Sequence, residues 1–459
     1  MSAMTTAETA NQSASRSSMA TKRADYQKHL LAQAAIAAKE SGLGLSELRD
    51  RAIALTNERS FPHGKDEEWR FTDLSDLLDK PFQPAEALLS VSEALAEQLT
   101  WLEGGYRLTT VNGHYVQNLS IAGRDVAAPE LPEGAVIAPL SALVKHPTYG
   151  DRIKDSLKSK LAQVQGSGEF FTALNTAGFS DVMVIWIRKD QTIDAPIHIA
   201  RGSAGEGIAH LRTLVIAERH AKFTVVESFC GDDEQARCNT NVSEFILEDG
   251  AQVTHIRVQD EGAQTFHITK TAISQAQNSR YHSTSIDLGA QLSRHHHEMY
   301  QAGPQTDTHL YGLSALGNRQ LADTHSLLAL THPHSSATQV QKNVVGDRAH
   351  SVFNGKVYVS QAAQHTDAAQ LNRNLMISDK ARIDTKPELD IVADNVKCAH
   401  GATVSQLQAD EVFYLQSRGV SAEQAQRLLL YGFAMEIVEK ISVDSLRQRL
   451  GDRISKWAR

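Results

Sequence analysis

The chain has 459 residues, which is enough for two or three domains or for one elongated repeat domain with appendages. It is 41% hydrophobic and 22% charged, with a formal net charge of −8. This mildly acidic composition is typical of a globular protein and gives no indication of binding to nucleic acid or to an anionic membrane. Three cysteines are too few for a disulfide framework, so we expect a reducing, cytoplasmic setting.

The first part of the chain predicts a tail followed by helices. Residues 1–22 are rich in Ser, Thr and Ala, predict a disordered tail and lack the apolar core of a secretory signal. Residues 23–165 predict a mostly helical region, because apolar side chains recur at intervals of three and four. Within it, Thr72 is placed to cap the short helix that follows. Asn112 and Gly113 predict a β-hairpin, since this pair favours a tight turn between strands.

Residues 166–402 are dominated by short apolar runs with the length and composition of β-strands. Four turns in this region resemble one another, because each follows an apolar run, ends in Ala and precedes another run. Their spacing is close to thirty residues or a multiple of it, which indicates stacked units such as a β-solenoid. No long helical pattern interrupts the region, so a doubly wound α/β sheet is disfavoured, while a pair of β-sandwiches stays open. The four turns lie at 218–221, 248–251, 346–349 and 378–381.

Residues 403–459 predict a C-terminal helical domain. Gly419 is placed to end its first helix, and Ser421 with Gln424 forms the capping box that begins the second. The second helix carries an apolar stripe that three short helices cannot easily bury among themselves. Two explanations stay open at this point: the stripe packs on the β core, or it forms an interface with a partner.

Cys398 and His400 stand two residues apart where the strand pattern gives way to the helical one. In an extended segment, residues i and i+2 point to the same face, so the thiol and the imidazole should face the same way. Both are soft to borderline metal ligands, which makes the pair a candidate metal site. The alternative is a buried structural cysteine beside a histidine in a turn.

About half of the 20 histidines fall within residues 282–365, including the run 295–297. In a strand, His295 and His297 would share a face, and on a solenoid such side chains could stack from turn to turn. We expect these histidines to lie on the polar surface, because no metalloenzyme motif accompanies them.

The remaining motifs point away from thiol and nucleotide chemistry. Cys230 and Cys238 are expected to be incidental thiols in an exposed loop, where neighbouring acidic residues disfavour the thiolate. The sequence NGK at 354–356 lacks the upstream glycine and the hydroxyl of a phosphate-binding loop. If nucleotide hydrolysis serves this protein, it must come from a partner.

Several blocks of the sequence resemble the SufB/SufD family of iron–sulfur cluster assembly proteins. The resemblance covers roughly residues 25–440 and is most specific over about 340–435. The sequence HGAT at 400–403 stands where SufB typically has His-Glu-Ala-Thr together with a cluster cysteine of its own, so the chain is more similar to the SufD branch. The blocks are EEWRFT at 67–72, VFNG at 352–355, DTKP at 384–387, VKCAHGATV at 396–404 and VFYLQSRG at 412–419.

This resemblance implies a mainly β fold, in which a right-handed parallel β-helix core is flanked by N-terminal and C-terminal helical regions. It implies a non-catalytic scaffold subunit of a SufBCD complex, which pairs with SufB through the β-helix ends and docks the ATPase SufC on the C-terminal helices. It also implies that a transient iron–sulfur cluster or iron is held at the SufB interface. His400 matches the proposed interface ligand of the family, and Cys398 matches the neighbouring thiol.

Other functions stay open on the sequence alone. A β-helix carbohydrate-active enzyme would need paired carboxylates in a groove. A His-rich metalloenzyme built on residues 282–365 would bind metal as an isolated chain. Participation of a flavin has no support in any motif, and pairing of the chain with itself in the absence of SufB is a further alternative. Neither nucleic acid nor a membrane is expected as a partner.

Overall fold

The computed structural model has a mainly β fold, with a parallel β-solenoid of about eight turns between N-terminal and C-terminal helices. This architecture confirms the predicted fold class, a parallel β-helix core flanked by helical regions. The structure describes residues 3–40, 42–88, 90–102, 104–121, 134–145, 157, 159–166, 168–232 and 235–457.

The N-terminal region is largely helical. Helix α1 begins at Ala3, so the backbone is helical through most of the segment that the sequence predicts as a disordered tail; alanine, frequent there, has the highest helix propensity. Tyr26, Leu30 and Ala34 form the buried stripe of this helix. The helices are α1 (Ala3–Glu40), α2 (Ser46–Glu58), α3 (Ser75–Leu78), α4 (Glu93–Thr100), α5 (Leu140–Leu143) and α6 (Phe170–Gly178), with 3₁₀ turns at Glu67–Trp69 and Gln117–Leu119.

The strands begin before the predicted core and continue beyond it. Strands β1 and β2 form the predicted hairpin at Asn112, where Val111 pairs with His114. The strands are β1 (Tyr106–Val111), β2 (His114–Tyr115), β3 (Ala135–Pro139), β4 (Met183–Ile187), β5 (Ile197–Ser203), β6 (Gly207–Ala217), β7 (Lys222–Gly231), β8 (Arg237–Leu247), β9 (Gln252–Asp260), β10 (Thr265–Gln275), β11 (Arg280–Asp287), β12 (Leu292–Gln301), β13 (Asp307–Leu316), β14 (Leu321–Leu330), β15 (Ser336–Val345), β16 (His350–Val359), β17 (Asp367–Met376), β18 (Arg382–Ile391) and β19 (Lys397–Ser405).

Two sheets share these strands. Sheet A contains β3 and the even-numbered strands from β4 to β18, and sheet B contains β1, β2 and the odd-numbered strands from β5 to β19. From β4 onward the chain alternates between the sheets, and each strand pairs in parallel with the one two places further along. Register partners such as Lys222 and Gln252, and then Gln252 and Arg280, lie close to thirty positions apart. The predicted solenoid is confirmed, and the β-sandwich alternative is wrong.

The four similar turns are corners of the solenoid. In each of them the N–H of the final Ala donates to the carbonyl of the first residue, as from Ala221 to Glu218 at 2.9 Å and from Ala251 to Glu248 at 3.0 Å. The side chains of Ala221, Ala251 and Ala349 are fully buried. A larger side chain would overpack the space between successive turns, which explains why these corners end in Ala.

Helices α7 (Ala409–Ser417), α8 (Ala422–Val438) and α9 (Asp444–Trp457) follow the solenoid. Gly419 ends α7 with φ +88°, and its N–H donates to Gln416 while that of Val420 donates to Leu415, which is a Schellman motif. The predicted capping box of Ser421 and Gln424 begins α8. Both local predictions are confirmed.

Helices α8 and α9 pack on the outer face of sheet B. Lys342 of β15 is fully buried beneath α8, where it donates to the Phe433 carbonyl at 3.1 Å and forms an ion pair with Glu436. Packing on the β core therefore accounts for most of the apolar stripe on α8, while Leu428 of the same helix stays exposed. The apolar side chains in this contact include Ile437, Val438, Leu446 and Leu450 from the helices and Ile256, Ile286 and Leu313 from the sheet. Among the described residues, no helix is both long and apolar enough to cross a membrane.

Thr72 does not cap α3, contrary to the prediction. Leu74 occupies the cap position, and no side chain there accepts a hydrogen bond. The Thr72 hydroxyl instead donates to the Asp323 carboxylate of β14, which also pairs with Arg294. Arg294 in turn lies over the Trp69 ring, 3.9 Å from its centre. The hydroxyl therefore links the EEWRFT block to sheet A. This long-range contact cannot be predicted from the local sequence.

Candidate functional site

The last turn of the solenoid has open strand edges. Strands β18 and β19 end sheets A and B, and within the described chain each is hydrogen-bonded to one neighbour, β16 and β17 respectively. Each strand therefore presents one row of unpaired backbone N–H and C=O groups. A row of this kind is a template for a strand from another chain.

Cys398 and His400 lie on the interior-facing side of β19. Their register partners in β17 are Ala368 and Gln370, both buried inside the solenoid. Because strands stacked in register keep the same alternation, Cys398 and His400 face the same way, as the sequence predicts. No further turn covers them, so Cys398 is half-buried against the core and His400 is exposed.

The two side chains differ in readiness to bind metal. Partial burial, together with the charge of Asp367, raises the pKa of the Cys398 thiol, which is therefore neutral until a metal ion or a base removes its proton. Among the described residues, no third His, Cys, Asp or Glu joins Cys398 and His400 in a group small enough to hold one ion. The pair is an incomplete ligand set as far as the described chain goes.

The interior beneath the last turn is polar. Gln370, directly below His400, donates to Gln339 at 2.9 Å, while its own side-chain oxygen is buried with no hydrogen-bond partner. Beside it, Thr385 donates to Asn372 at 2.7 Å, and Asn374 donates to the same amide oxygen. A buried acceptor without a donor is costly, so a donor added above Gln370 would be stabilised there.

Gly355 of the VFNG block leaves room for Gln370. A Cβ at this position would lie 2.4 Å from the Gln370 amide nitrogen and 2.6 Å from the Phe353 ring. We expect Gly355→Ala to lower the free energy of unfolding by about 1–3 kcal/mol through overpacking, as measured by urea denaturation. Gly432 of α8 is the control, because nothing lies within 4 Å of its added Cβ. Gly432→Ala should stabilise by up to about 1 kcal/mol, and equal effects of the two substitutions would contradict the packing argument.

Pro387 of the DTKP block is compatible with β18 because its backbone nitrogen points away from β16. Arg382 donates its N–H to Ala349 on the β16 side, and N–H groups along a strand alternate between its two sides. The nitrogen of Pro387 therefore points to the open edge, where the absent N–H breaks no hydrogen bond with β16. The proline also removes one donor from that edge, which limits how a second strand can pair there.

Two of the sequence blocks that resemble the SufB/SufD family are distant in sequence but contact each other on sheet A. Lys386 of the DTKP block forms ion pairs with Glu67 of the EEWRFT block and with Glu388. The next residue, Glu68, pairs with His325 at 3.1 Å, and the hydrogen bond from His325 lowers the pKa of Glu68 to about 2. The N-terminal block thus supports the strand that precedes β19.

Two histidines of the run on β12 are inside the molecule, so the predicted polar surface location is wrong for His295 and His297, whereas His296 is partly exposed. His295 and His297 share the interior face, with ring centres 5.0 Å apart, and contact Thr271 at 3.0 Å and Tyr281 at 3.3 Å respectively. Burial lowers the pKa of His297 to about 3, so it is neutral. The interior of this solenoid contains neutral polar side chains, and the spacing of apolar residues in the sequence does not indicate this.

Cys230 and Cys238 lie in strands β7 and β8 and are buried, so their predicted exposure is wrong. Burial, and secondarily the charge of Glu261, raises the pKa of each thiol to about 12. Part of the acidic loop between them, residues 233–234, lies outside the described residues. Both thiols are therefore protonated at neutral pH, which agrees with the expectation that they are incidental.

The C-terminal helices leave apolar side chains exposed. Helix α7 buries none of its residues, and Phe413 and Tyr414 are 70% and 59% exposed. Leu428 on α8 is 54% exposed. Large apolar groups this exposed on neighbouring helices are typical of a surface that contacts another protein.

These features define a class of protein: a β-solenoid whose last turn presents a thiol and an imidazole beside unpaired strand edges. The sequence profile described as SUF system FeS cluster assembly, SufBD core domain, matches residues 199–433. The profile of the SufBD protein N-terminal region matches residues 20–199. The chain therefore belongs to the SufBD family of iron–sulfur cluster assembly proteins, as the sequence blocks predict.

Individual relatives agree with this assignment along most of their length. An iron–sulfur cluster assembly SufBD family protein of Synechocystis is 40% identical over 435 residues, which cover 92% of this chain and 93% of the relative. The chloroplastic protein ABCI7 of Arabidopsis thaliana is 31% identical, with 91% and 87% covered. The iron–sulfur cluster assembly protein SufD of Escherichia coli is 30% identical, with 87% and 90% covered. These matches favour an assembly protein over the carbohydrate-active enzyme.

Proposed function

We propose that this chain is the SufD-type scaffold subunit of a cytoplasmic SufBCD complex and is not itself a catalyst. It pairs with SufB through the open end of its solenoid and receives the ATPase SufC on its C-terminal helices. The observation that carries the proposal is the last turn, where unpaired strand edges stand beside Cys398 and His400.

Pairing at the open end is supported by the backbone geometry of β19. A partner strand added along its free edge would satisfy backbone groups that otherwise face water, and backbone hydrogen bonds of this kind supply affinity in strand addition. The added strand would also place partner side chains above Cys398 and His400. The same contact would bring a donor toward the unpaired oxygen of Gln370.

Assembly at the interface is supported by the incomplete ligand set. Cys398 and His400 offer sulfur and nitrogen, both of which bind iron, but the described chain adds no third ligand. A nascent cluster or iron would therefore be held by His400, with Cys398 beside it, only when SufB supplies the remaining ligands. A site shared by two chains suits a cluster or iron that must be released, because separation of the chains removes part of the ligand set.

Docking of SufC is supported by the exposed apolar residues of α7 and α8. The described chain contains no phosphate-binding loop, so ATP hydrolysis falls to the partner. The contacts of Lys342 with α8 connect the helical domain to β15, two strands away from β19 in sheet B. This connection offers a route by which movement of SufC can reach the last turn.

Co-expression tests the scaffold role. The tagged chain, SufB and SufC from the same source should co-purify as one complex, whereas the tagged chain alone should support no cluster assembly. Recovery of the chain without either partner would contradict the proposal. Self-association of the chain without SufB is read from the same preparation by its mass in solution.

Phe413→Ser with Tyr414→Ser should selectively reduce SufC docking. We expect SufC recovery to fall at least about tenfold and SufB recovery to stay unchanged, because the substituted side chains are exposed on α7 and are not part of β19. Ile36→Ser on α1 is the control, since Ile36 is also a large exposed apolar residue. Equal recovery of SufC with the double variant and the control would place the ATPase elsewhere.

A further inference from the structure

Three side chains with metal-ligating groups converge on the outer face of sheet B. His282 of β11 and His309 of β13 are register partners on adjacent strands, with ring centres 4.5 Å apart. Asp307 lies two residues before His309 and therefore on the same face. One ligand atom from each of the three lies within 4.8 Å of the others, and among the described residues no other group of His, Cys, Asp and Glu does so.

The distances in this group are compatible with metal ligation and are long for charge-assisted hydrogen bonds. The Nε2 atoms of His282 and His309 lie 3.3 Å and 3.2 Å from oxygens of Asp307. Charge-assisted contacts of this type are usually about 2.7–2.9 Å, and His350 with Asp384 is at 2.7 Å in this same protein. Ligands about 2.0–2.1 Å from a tetrahedral ion lie about 3.3 Å from one another.

A second layer of contacts orients the ligands. The Tyr311 hydroxyl lies 3.0 Å from Nδ1 of His309, which leaves Nε2 of that ring directed at Asp307. The Ser336 hydroxyl donates to Asp307 at 2.7 Å. Histidines that bind metal typically have such a partner on the other ring nitrogen, because it fixes the tautomer and the ring orientation.

The group is partly exposed, which leaves room for an outer ligand. The side chains of His282, Asp307 and His309 are 46%, 31% and 28% exposed. Arg280, the register partner of Asp307, opposes cation binding but is exposed and can turn to solvent.

We propose that His282, Asp307 and His309 bind one first-row divalent cation, such as Zn²⁺ or Fe²⁺, with three protein ligands and an open position. Two histidines with one carboxylate suit both ions. Strands β15 and β17 separate this site from β19 in sheet B, so it is distinct from the last turn and does not depend on the proposed complex.

Cobalt titration tests this site on the full chain with its affinity tag removed. The background carries Cys398→Ser and His400→Ala, so that the last turn contributes no ligand. We expect one Co²⁺ per chain, seen both by calorimetry and by the visible absorption of a four-coordinate ion. In His309→Ala or Asp307→Asn the dissociation constant should rise at least about a hundredfold, and in Tyr311→Phe about tenfold, in line with losses on removing supporting contacts.

The matched control is His334→Ala with His365→Ala, a second pair of neighbouring histidines, with ring centres 4.9 Å apart. This variant should bind Co²⁺ as tightly as the background chain. Circular dichroism checks that each variant is folded. Absence of stoichiometric binding to the background chain would overturn the proposal, and so would unchanged binding to Asp307→Asn, because that substitution preserves shape and removes only the charge.

Discussion

Ala402→Pro should reduce co-purification of SufB at least about tenfold while the chain itself stays folded. The N–H of Lys397 donates to Thr366 on the β17 side at 2.9 Å. Because N–H groups alternate along a strand, that of Ala402 points to the open edge, and proline there removes a donor that only a partner strand can use. The substitution therefore tests pairing with SufB without removing a hydrogen bond from the folded chain.

Ala399→Pro is the matched control for this experiment. The N–H of Ala399 has the same direction as that of Lys397, so proline at 399 removes a hydrogen bond to β17 within the chain. This variant should lower the free energy of unfolding by about 0.5–1.5 kcal/mol or more, as measured in urea. Ala402→Pro should shift the urea midpoint less. Normal SufB recovery with Ala402→Pro would show that the open edge of β19 is not the pairing surface.

His400→Ala should leave the complex intact and reduce cluster formation at least about tenfold. His400 is exposed on the last turn, so its loss affects folding little. Its imidazole nitrogen is a common metal ligand. Partial burial raises the pKa of the Cys398 thiol and so disfavours the thiolate that binds metal. Cys398→Ser should therefore have the smaller effect.

Anaerobic reconstitution with iron and sulfide, followed by the absorbance of the purified complex, measures this difference. Thr403→Ala is the control, because Thr403 belongs to the same strand and points to the opposite face. Unchanged cluster formation with His400→Ala would remove the ligand role and leave the scaffold role standing. Equal losses with His400→Ala and Thr403→Ala would indicate a general effect on β19.

Features set by neighbouring residues could be predicted from the sequence. The capping box at Ser421, the end of α7 at Gly419 and the corners that end in Ala depend on a few consecutive residues, and all are present. The shared face of Cys398 and His400 follows from strand geometry alone. The stacking of strands into a solenoid follows from the repeated turns.

Features set by contacts between turns could not be predicted. His295 is buried although its neighbours are polar, because the solenoid interior supplies hydrogen-bond partners from other turns. Cys230 is buried because it packs with Leu95 and Leu99 of α4. The group of His282, Asp307 and His309 depends on a register that brings together residues far apart in the chain. The number of residues in each turn of the solenoid varies, so the sequence alone does not determine which residues become neighbours.

The stacking of turns has a consequence for the order in which the molecule opens. Each turn is held mainly by the turns before and after it, so stability is local and the terminal turn has half the support of an interior one. Amide protons of β19 should exchange with solvent sooner than those of β11, and a partner strand would slow them first. Assembly would then be visible as slower amide exchange, with the largest effect at the end of the solenoid and a smaller effect in each turn further from it.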